Sequence, residues 1–260
     1  MKYDIFYIDA FTDKLFTGNP AAVIFSDLID PALMQNIAAE NNLSETAFIR
    51  EDNGIYYIRW FSPYCEIDLC GHATLASAYV FFNFIKPEEK VFNVHSLKNG
   101  ILKVTQNNEL LFLDFPSDKL QSFDQISLIE SAIGLKPIEA FKGRDDVLAI
   151  LESEDAIKNL NVDFESLNQI DCRGLIVSSK GNNYDFVSRF FAPATGVDED
   201  PVTGSAHTTL TPYWSQKLDK KNLVAAQLST RGGVLYCEDK EERTIIGGKA
   251  TLYLKGKIFI

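Results

Sequence analysis

The feature that most constrains this chain is that it is written twice. Arg59-Trp60-Phe61-Ser62-Pro63 recurs 130 residues later as Arg189-Phe190-Phe191-Ala192-Pro193. Asp68 falls opposite Asp198 at the same offset, and Gly71-His72-Ala73 falls opposite Gly204-Ser205-Ala206 at 133. The offset of 133 then holds for Ser96 and Ser229, Gly100 and Gly233, and Leu102 and Leu235. Upstream, residues 18–24 loosely resemble residues 143–150. Ordered self-similarity means one folding unit used twice. The expectation is two pseudo-symmetric domains, 1–117 and 118–260, joined near Pro116-Ser117-Asp118, with the natural ligand site in the cleft between them. The copies differ between the aspartate and the glycine. Two residues, Leu69 and Cys70, stand there in the first copy, and Glu199 to Thr203 in the second. This alignment reads as an insertion that brings the carboxylate of Asp200.

Local patterns suggest an α+β fold. Residues 3–10, 22–25, 46–50 and 55–61 are rich in β-branched and aromatic side chains and read as strands. Residues 101–105 and 110–115 read as a hairpin, and 250–254 with 257–260 as a second strand pair. Leu33, Met34, Ile37 and Ala38 have helical spacing within 30–41. Residues 71–84 carry no charge after His72, and a helix apolar on every side must be buried on every side. Each half is therefore expected to be a curved β-sheet or barrel around one central helix. The second helix starts at Ser205 and is expected to bend or break near Pro212.

Composition removes several classes of function. Lys and Arg number 25 against 36 Asp and Glu, a formal net charge of −11, which opposes nucleic-acid and acidic-membrane partners. The usual glycine-rich nucleotide motifs are absent. No apolar run has the length of a membrane span. Asp4 and Asp9 stand where an export leader would need an uncharged stretch, so the expected location is cytoplasmic, with the four cysteines reduced. Cys65 and Cys70 are five apart with His72 close by, but the spacing is not that of a zinc motif and no second ligand pair follows, so no metal is expected. Cys65, Cys172 and Cys237 read as small buried hydrophobes.

The two Gly-x-Ala helix starts supply the chemistry. A helix N-terminus offers unpaired backbone N–H groups and a partial positive charge, and glycine lets a ligand approach the backbone closely. Two such starts suit a carboxylate that the protein's net field would otherwise repel. Glu45 precedes the apolar run Ala47-Phe48-Ile49, which allows burial among apolar side chains, while spacing alone favours a solvated loop carboxylate there. The positions aligned with it fall near Arg173-Gly174-Leu175, and none is acidic. One base in one half suggests one proton carrier.

Four segments resemble the PhzF-like phenazine-biosynthesis family of the diaminopimelate-epimerase superfamily. They are Gly18-Asn19-Pro20-Ala21-Ala22-Val23, Leu43-Ser44-Glu45-Thr46-Ala47-Phe48, Asp68-Leu69-Cys70-Gly71-His72-Ala73-Thr74 and Asp200-Pro201-Val202-Thr203-Gly204-Ser205-Ala206-His207. The resemblance implies a cofactor-independent, metal-free isomerase acting on a small carboxylate, often as a homodimer. Its named member isomerises trans-2,3-dihydro-3-hydroxyanthranilate. It further implies that Glu45 is the acid/base and that His72, Asp200 and Ser205 position the substrate, with Gly71, Ala73 and Gly204 at the helix starts. A two-cysteine epimerase of the same superfamily and a non-catalytic carboxylate-binding protein are the alternatives. The first is disfavoured because Cys70 has no thiol partner near Gly204.

Overall fold

Neighbouring strands that run the same way must be joined by a crossover, and each crossover here carries helix. The computed structural model describes all of residues 1–260. Its contacts divide the chain into two units, Met1–Asp114 with Gly247–Ile260, and Phe115–Ile246.

The first unit contains β1 (Lys2–Ala10), β2 (Asn19–Phe25), α1 (Pro31–Asn41), β3 (Glu45–Asp52), β4 (Ile55–Phe61), β5 (Glu66–Ile67), α2 (Gly71–Val80), β6 (Val91–Ser96), β7 (Gly100–Asn107) and all but the last two residues of β8 (Leu110–Pro116). β2 pairs parallel with β3 across α1, and β4 pairs parallel with β6 across α2. The other pairings, β1–β2, β3–β4, β6–β7 and β7–β8, are antiparallel. The Asp30 carboxylate accepts from the Ala32 N–H to start α1. α2 has no solvent face. Ala73, Leu75, Ala76, Ala78 and Val80 are wholly buried, and the helix packs on β1, β2 and β3. Its polar residues turn inward onto their own backbone, Thr74 Oγ1 to the Cys70 carbonyl and Ser77 Oγ to the Ala73 carbonyl. The last turn, Phe81–Ile85, widens into a π-helix.

The second unit contains β9 (Gln121–Ser122), α3 (Ile126–Ile133), β10 (Glu139–Lys142), β11 (Val147–Ile150), α4 (Glu154–Lys158), α5 (Phe164–Leu167), β12 (Leu175–Lys180), β13 (Phe186–Phe191), α6 (Gly204–Leu218), β14 (Asn222–Gln227), β15 (Gly233–Lys240) and all but the last two residues of β16 (Arg243–Gly248). The pairing pattern repeats. β11 and β12 are parallel across α4 and α5, β13 and β14 are parallel across α6, and β12–β13 and β14–β15 are antiparallel.

Three details differ from the sequence reading. The C-terminal segment is one strand, Ala250–Phe259, rather than two, because it pairs with β1 from Ala10 to Lys2 and continues past Gly256 opposite Ile5. That pairing also makes Gly247–Ile260 part of the first unit, whereas a division at 117/118 leaves it in the second. α6 runs unbroken through Pro212. Pro212 cannot donate to the Thr208 carbonyl one turn back, and the Asp118 N–H takes that acceptor at 3.1 Å.

The repeat extends to individual contacts. The Ser96 hydroxyl accepts from the Asn99 N–H at 2.8 Å, and the Ser229 hydroxyl accepts from the Gly232 N–H at 3.0 Å, both 133 residues on. Arg59 lies over the Phe61 ring at 5.2 Å and Arg189 over the Phe191 ring at 4.9 Å. His207 stands at the position of Thr74. Its Nδ1 bonds the Thr203 carbonyl at 2.8 Å, as the Thr74 hydroxyl bonds Cys70.

Burial holds His207 neutral, with its pKa lowered to about 4. An unfolded chain binds that proton near pH 6.5, so stability is lost as pH falls from there toward 4. The expected loss from this one group is about 3 kcal/mol at pH 4. Chemical denaturation at pH 7 and pH 4 should show a correspondingly smaller drop in His207→Gln than in the parent chain. Equal drops would show that His207 is not the titrating group.

Candidate active site

In the first unit, strand register brings one carboxylate to the start of α2. Glu45 opens β3 opposite Ala21 of β2. Cys70 occupies the N-cap of α2 without a side-chain capping bond, and His72 lies in the first turn after Gly71 and before Ala73. His72 Nε2 is 2.8 Å from Glu45 Oε2, and His72 Nδ1 is 3.5 Å from Cys70 Sγ. His72 and Cys70 are buried, while the Glu45 side chain is 15% exposed. Burial and the positive end of α2 both oppose an imidazolium here. The Cys70 sulfur and the Glu45 carboxylate outweigh burial and hold His72 well above the usual imidazole value. Burial, reinforced by the Glu45 charge, pushes the Cys70 thiol up.

In the second unit, α6 starts at Gly204 after Thr203, again without a side-chain cap. Asp200 Oδ2 accepts from Thr203 Oγ1 at 2.5 Å. The Gln227 amide braces the turn. It accepts from the Thr203 N–H and donates to the Asp200 carbonyl, both at 2.8 Å. Ser205 Oγ accepts from Arg173 Nη2 at 3.1 Å. Arg173 also grips Asp146 through Nε at 2.8 Å and through Nη2. Burial raises the Asp146 carboxyl, and the Arg173 guanidinium opposes the rise. Asp146, Arg173 and Ser205 line a pocket with Asp118, Arg144 and Thr208.

Register converts the repeat into a residue-by-residue comparison. Thr46 pairs with Phe61, and Leu175 pairs with Phe191, so Glu45 corresponds to Gly174. A Cβ at Gly174 would lie 2.4 Å from the Phe190 ring and 2.9 Å from the Phe191 carbonyl oxygen, so no side chain can stand there. Likewise Cys70 corresponds to Thr203 and His72 to Ser205. The carboxylate, thiol and imidazole of one unit thus become a hydrogen, a hydroxyl and a hydroxyl in the other.

The same comparison corrects the origin of Asp200. Arg59 forms a two-pronged ion pair with Glu66, and Arg189 forms one with Glu199, so the offset is already 133 at Glu199. Ile67 pairs with Trp60, and the Asp200 N–H donates to the Phe190 carbonyl, so Asp200 replaces Ile67. The three extra residues lie earlier, in the loop that holds the short helix Pro193–Thr195. Sequence reasoning also missed Arg173 and Asp146 as neighbours of Ser205. Their signal was adjacency, since Arg173 precedes the counterpart of Glu45 and Asp146 lies within the segment aligned with residues 18–24. None of the four cysteines is in a disulfide, but Cys65 is exposed rather than buried because it closes the turn begun by Ser62.

Comparisons place this geometry among known proteins. A sequence model of the family described as phenazine biosynthesis-like protein matches residues 8–256. An uncharacterised isomerase of Pseudomonas aeruginosa is 45% identical over 260 residues, covering 99% of each chain. The crystal structure of a PhzF-family phenazine biosynthesis protein from Enterococcus faecalis superposes with a TM-score of 0.97 at 45% identity, covering 100% of both chains. A hydroxyproline epimerase from Agrobacterium vitis shares the fold at 8% identity, with a TM-score of 0.63 over 99% of this chain and 92% of its own.

Arg173→Ala strands the Asp146 carboxylate, whose side chain is only 4% exposed. Discounted for the partial exposure of Arg173, the expected loss is about 2 kcal/mol of unfolding free energy. Adding Asp146→Ala should restore part of it, a coupling of at least ~1 kcal/mol in a double-mutant cycle. Strictly additive losses would contradict the pairing.

Proposed function

Because the chain belongs to the PhzC-PhzF family of phenazine biosynthesis-like proteins, we propose that it is an isomerase that moves a proton within a small cyclic or unsaturated carboxylate, with Glu45 as the proton carrier. The observation that carries this reading is the solitary acid. Glu45 stands at the mouth of α2 on an imidazole, and its counterpart in the repeat is a glycine that admits no side chain.

The chemistry balances within the active site. A Glu45 oxygen removes a proton from carbon, and the C–H electron pair enters the adjacent unsaturated system. The double bond shifts, and Glu45 returns the same proton to a different carbon. No electron acceptor is consumed, because substrate and product differ only in where one proton and one double bond lie. The His72 imidazolium, 2.8 Å from Oε2, orients the carboxylate and leaves Oε1 as the basic oxygen. The uncapped N–H groups at Gly71 and Ala73 are assigned to an anionic group of the substrate. The second unit offers the same kind of anchor by itself, the uncapped N–H at Gly204 with the Ser205 hydroxyl. Arg173 holds that hydroxyl in place. Asp200, tied to Thr203, is assigned to the substrate's remaining polar groups.

The test is turnover in D₂O with a panel of unsaturated cyclic carboxylates that includes trans-2,3-dihydro-3-hydroxyanthranilate. The parent enzyme should isomerise one of them, with deuterium entering only as fast as Glu45 exchanges with solvent. Glu45→Gln should lose roughly 10²–10⁴-fold in rate while still binding the product. Full turnover by that variant would remove Glu45 from the mechanism. Tight binding of a carboxylate without any turnover would make the protein a binder instead.

A further inference from the structure

The sequence reading set metal aside because Cys65 and Cys70 do not have ligand spacing. The fold does not bring those two together. It brings Cys70 to two residues of different chemistry. Cys70 Sγ is 3.5 Å from His72 Nδ1 and 3.9 Å from Nε2, Nε2 is 2.8 Å from Glu45 Oε2, and the sulfur, nitrogen and oxygen donors all lie within 4.8 Å of one another. We propose that Glu45, Cys70 and His72 form a site for one zinc-type divalent cation per chain, with a fourth coordination position open.

Three arguments support this assignment. The first is geometric. Metal–ligand bonds of about 2.0 Å to nitrogen and oxygen and 2.3 Å to sulfur, in tetrahedral array, separate the ligand atoms by roughly 3.3–3.6 Å. The separations here, from 2.8 Å to within 4.8 Å, bracket that range, so the donors need to shift by about an ångström. The three donors come from two ordered elements. Glu45 is fixed by the register of β3, and Cys70 and His72 by the first turn of α2, where the Thr74 hydroxyl ties down the Cys70 carbonyl.

The second is charge and softness. A divalent ion with one carboxylate, one thiolate and a neutral imidazole is a neutral cluster, which limits the penalty for burying charge. The cation displaces the thiol proton of Cys70 and the imidazolium proton of His72. Glu45 Oε2 is buried and makes its ion contact with His72 without an aligned hydrogen bond, so it has capacity for a further partner. A sulfur–nitrogen–oxygen set favours zinc and its neighbours over magnesium or calcium, which prefer oxygen alone.

The third is a control built into the repeat. The corresponding positions of the second unit hold Gly174, Thr203 and Ser205, which offer neither thiolate nor imidazole nor carboxylate. The site therefore occurs once per chain. Where Glu45 is the proton carrier, a bound ion blocks it. That consequence rests on the isomerase reading, whereas binding itself does not.

The experiment titrates the full chain, stripped by chelator, with Co²⁺ as a spectroscopic probe and Zn²⁺ as competitor. One equivalent of Co²⁺ should produce a thiolate-to-cobalt charge-transfer band, and Zn²⁺ should abolish it. Cys70→Ser should lose the band, and Cys65→Ser should keep it. His72→Gln and Glu45→Gln should each weaken binding by at least the ~10-fold that even an outer partner of a metal ligand is worth. X-ray absorption on the zinc-loaded parent chain should show one sulfur at about 2.3 Å and requires no variant to fold. Absence of cobalt binding, a band that survives Cys70→Ser, or a zinc shell without sulfur would each overturn the site. None of these readouts involves turnover, so failure here leaves the isomerase reading standing, and failure of that reading leaves this one.

Discussion

The enclosure of α2 governs the rest of the first unit. Its sequence offers no face to water, and its two buried hydroxyls spend their hydrogen bonds on their own backbone. Such a helix is stable only when strands surround it. The parallel pairs β2–β3 and β4–β6 achieve this because each needs a crossover, and the second crossover is α2 itself. Enclosure also has a chemical result. It leaves the start of α2 as the one part of the helix that can face a ligand, with its first N–H groups uncapped. α6 obeys the same rule in the second unit. There the break expected at Pro212 does not occur, because Asp118 satisfies the carbonyl that proline leaves without a donor.

Duplication conserves the scaffold and lets the chemistry diverge. Arg59–Glu66 and Arg189–Glu199, the arginine–phenylalanine contacts and the serine-capped turns are the same devices at the same places. The positions at the helix starts and at Glu45 are not. One unit presents carboxylate, thiol and imidazole. The other presents a hydroxyl supported by guanidinium, and its Phe190 ring closes the space where a second acid would stand. Steric exclusion at Gly174 therefore explains why the Glu45 carboxylate has no counterpart in the second unit.

Much of this was legible in the residue order. The repeat, the central helices and the paired helix starts follow from periodicity and spacing, which are local properties of a chain, whereas Glu45 is singled out by the family resemblance. What was misread shares a physical origin. The offset change was assigned to the residues before Gly204, because one-dimensional alignment has no means of placing a gap within a loop. The ion pair of Arg189 with Glu199 and the backbone bond from Asp200 to Phe190 place it earlier. The C-terminal segment reads in sequence as a strand pair, 250–254 with 257–260, whereas pairing with β1 makes it one strand.

By itself, then, the sequence determined the internal repeat, most of the element types and the apolar character of α2, since each depends on side chains near one another along the chain. Only the tertiary structure decided which side chains share a site. His72 meets Glu45 across 27 positions, Cys70 meets both, and Arg173 meets Ser205 across 32. Those meetings are set by β-sheet register, where a shift of one residue turns a side chain to the opposite face. Register is an outcome of the whole core's packing, and no short stretch of sequence encodes it.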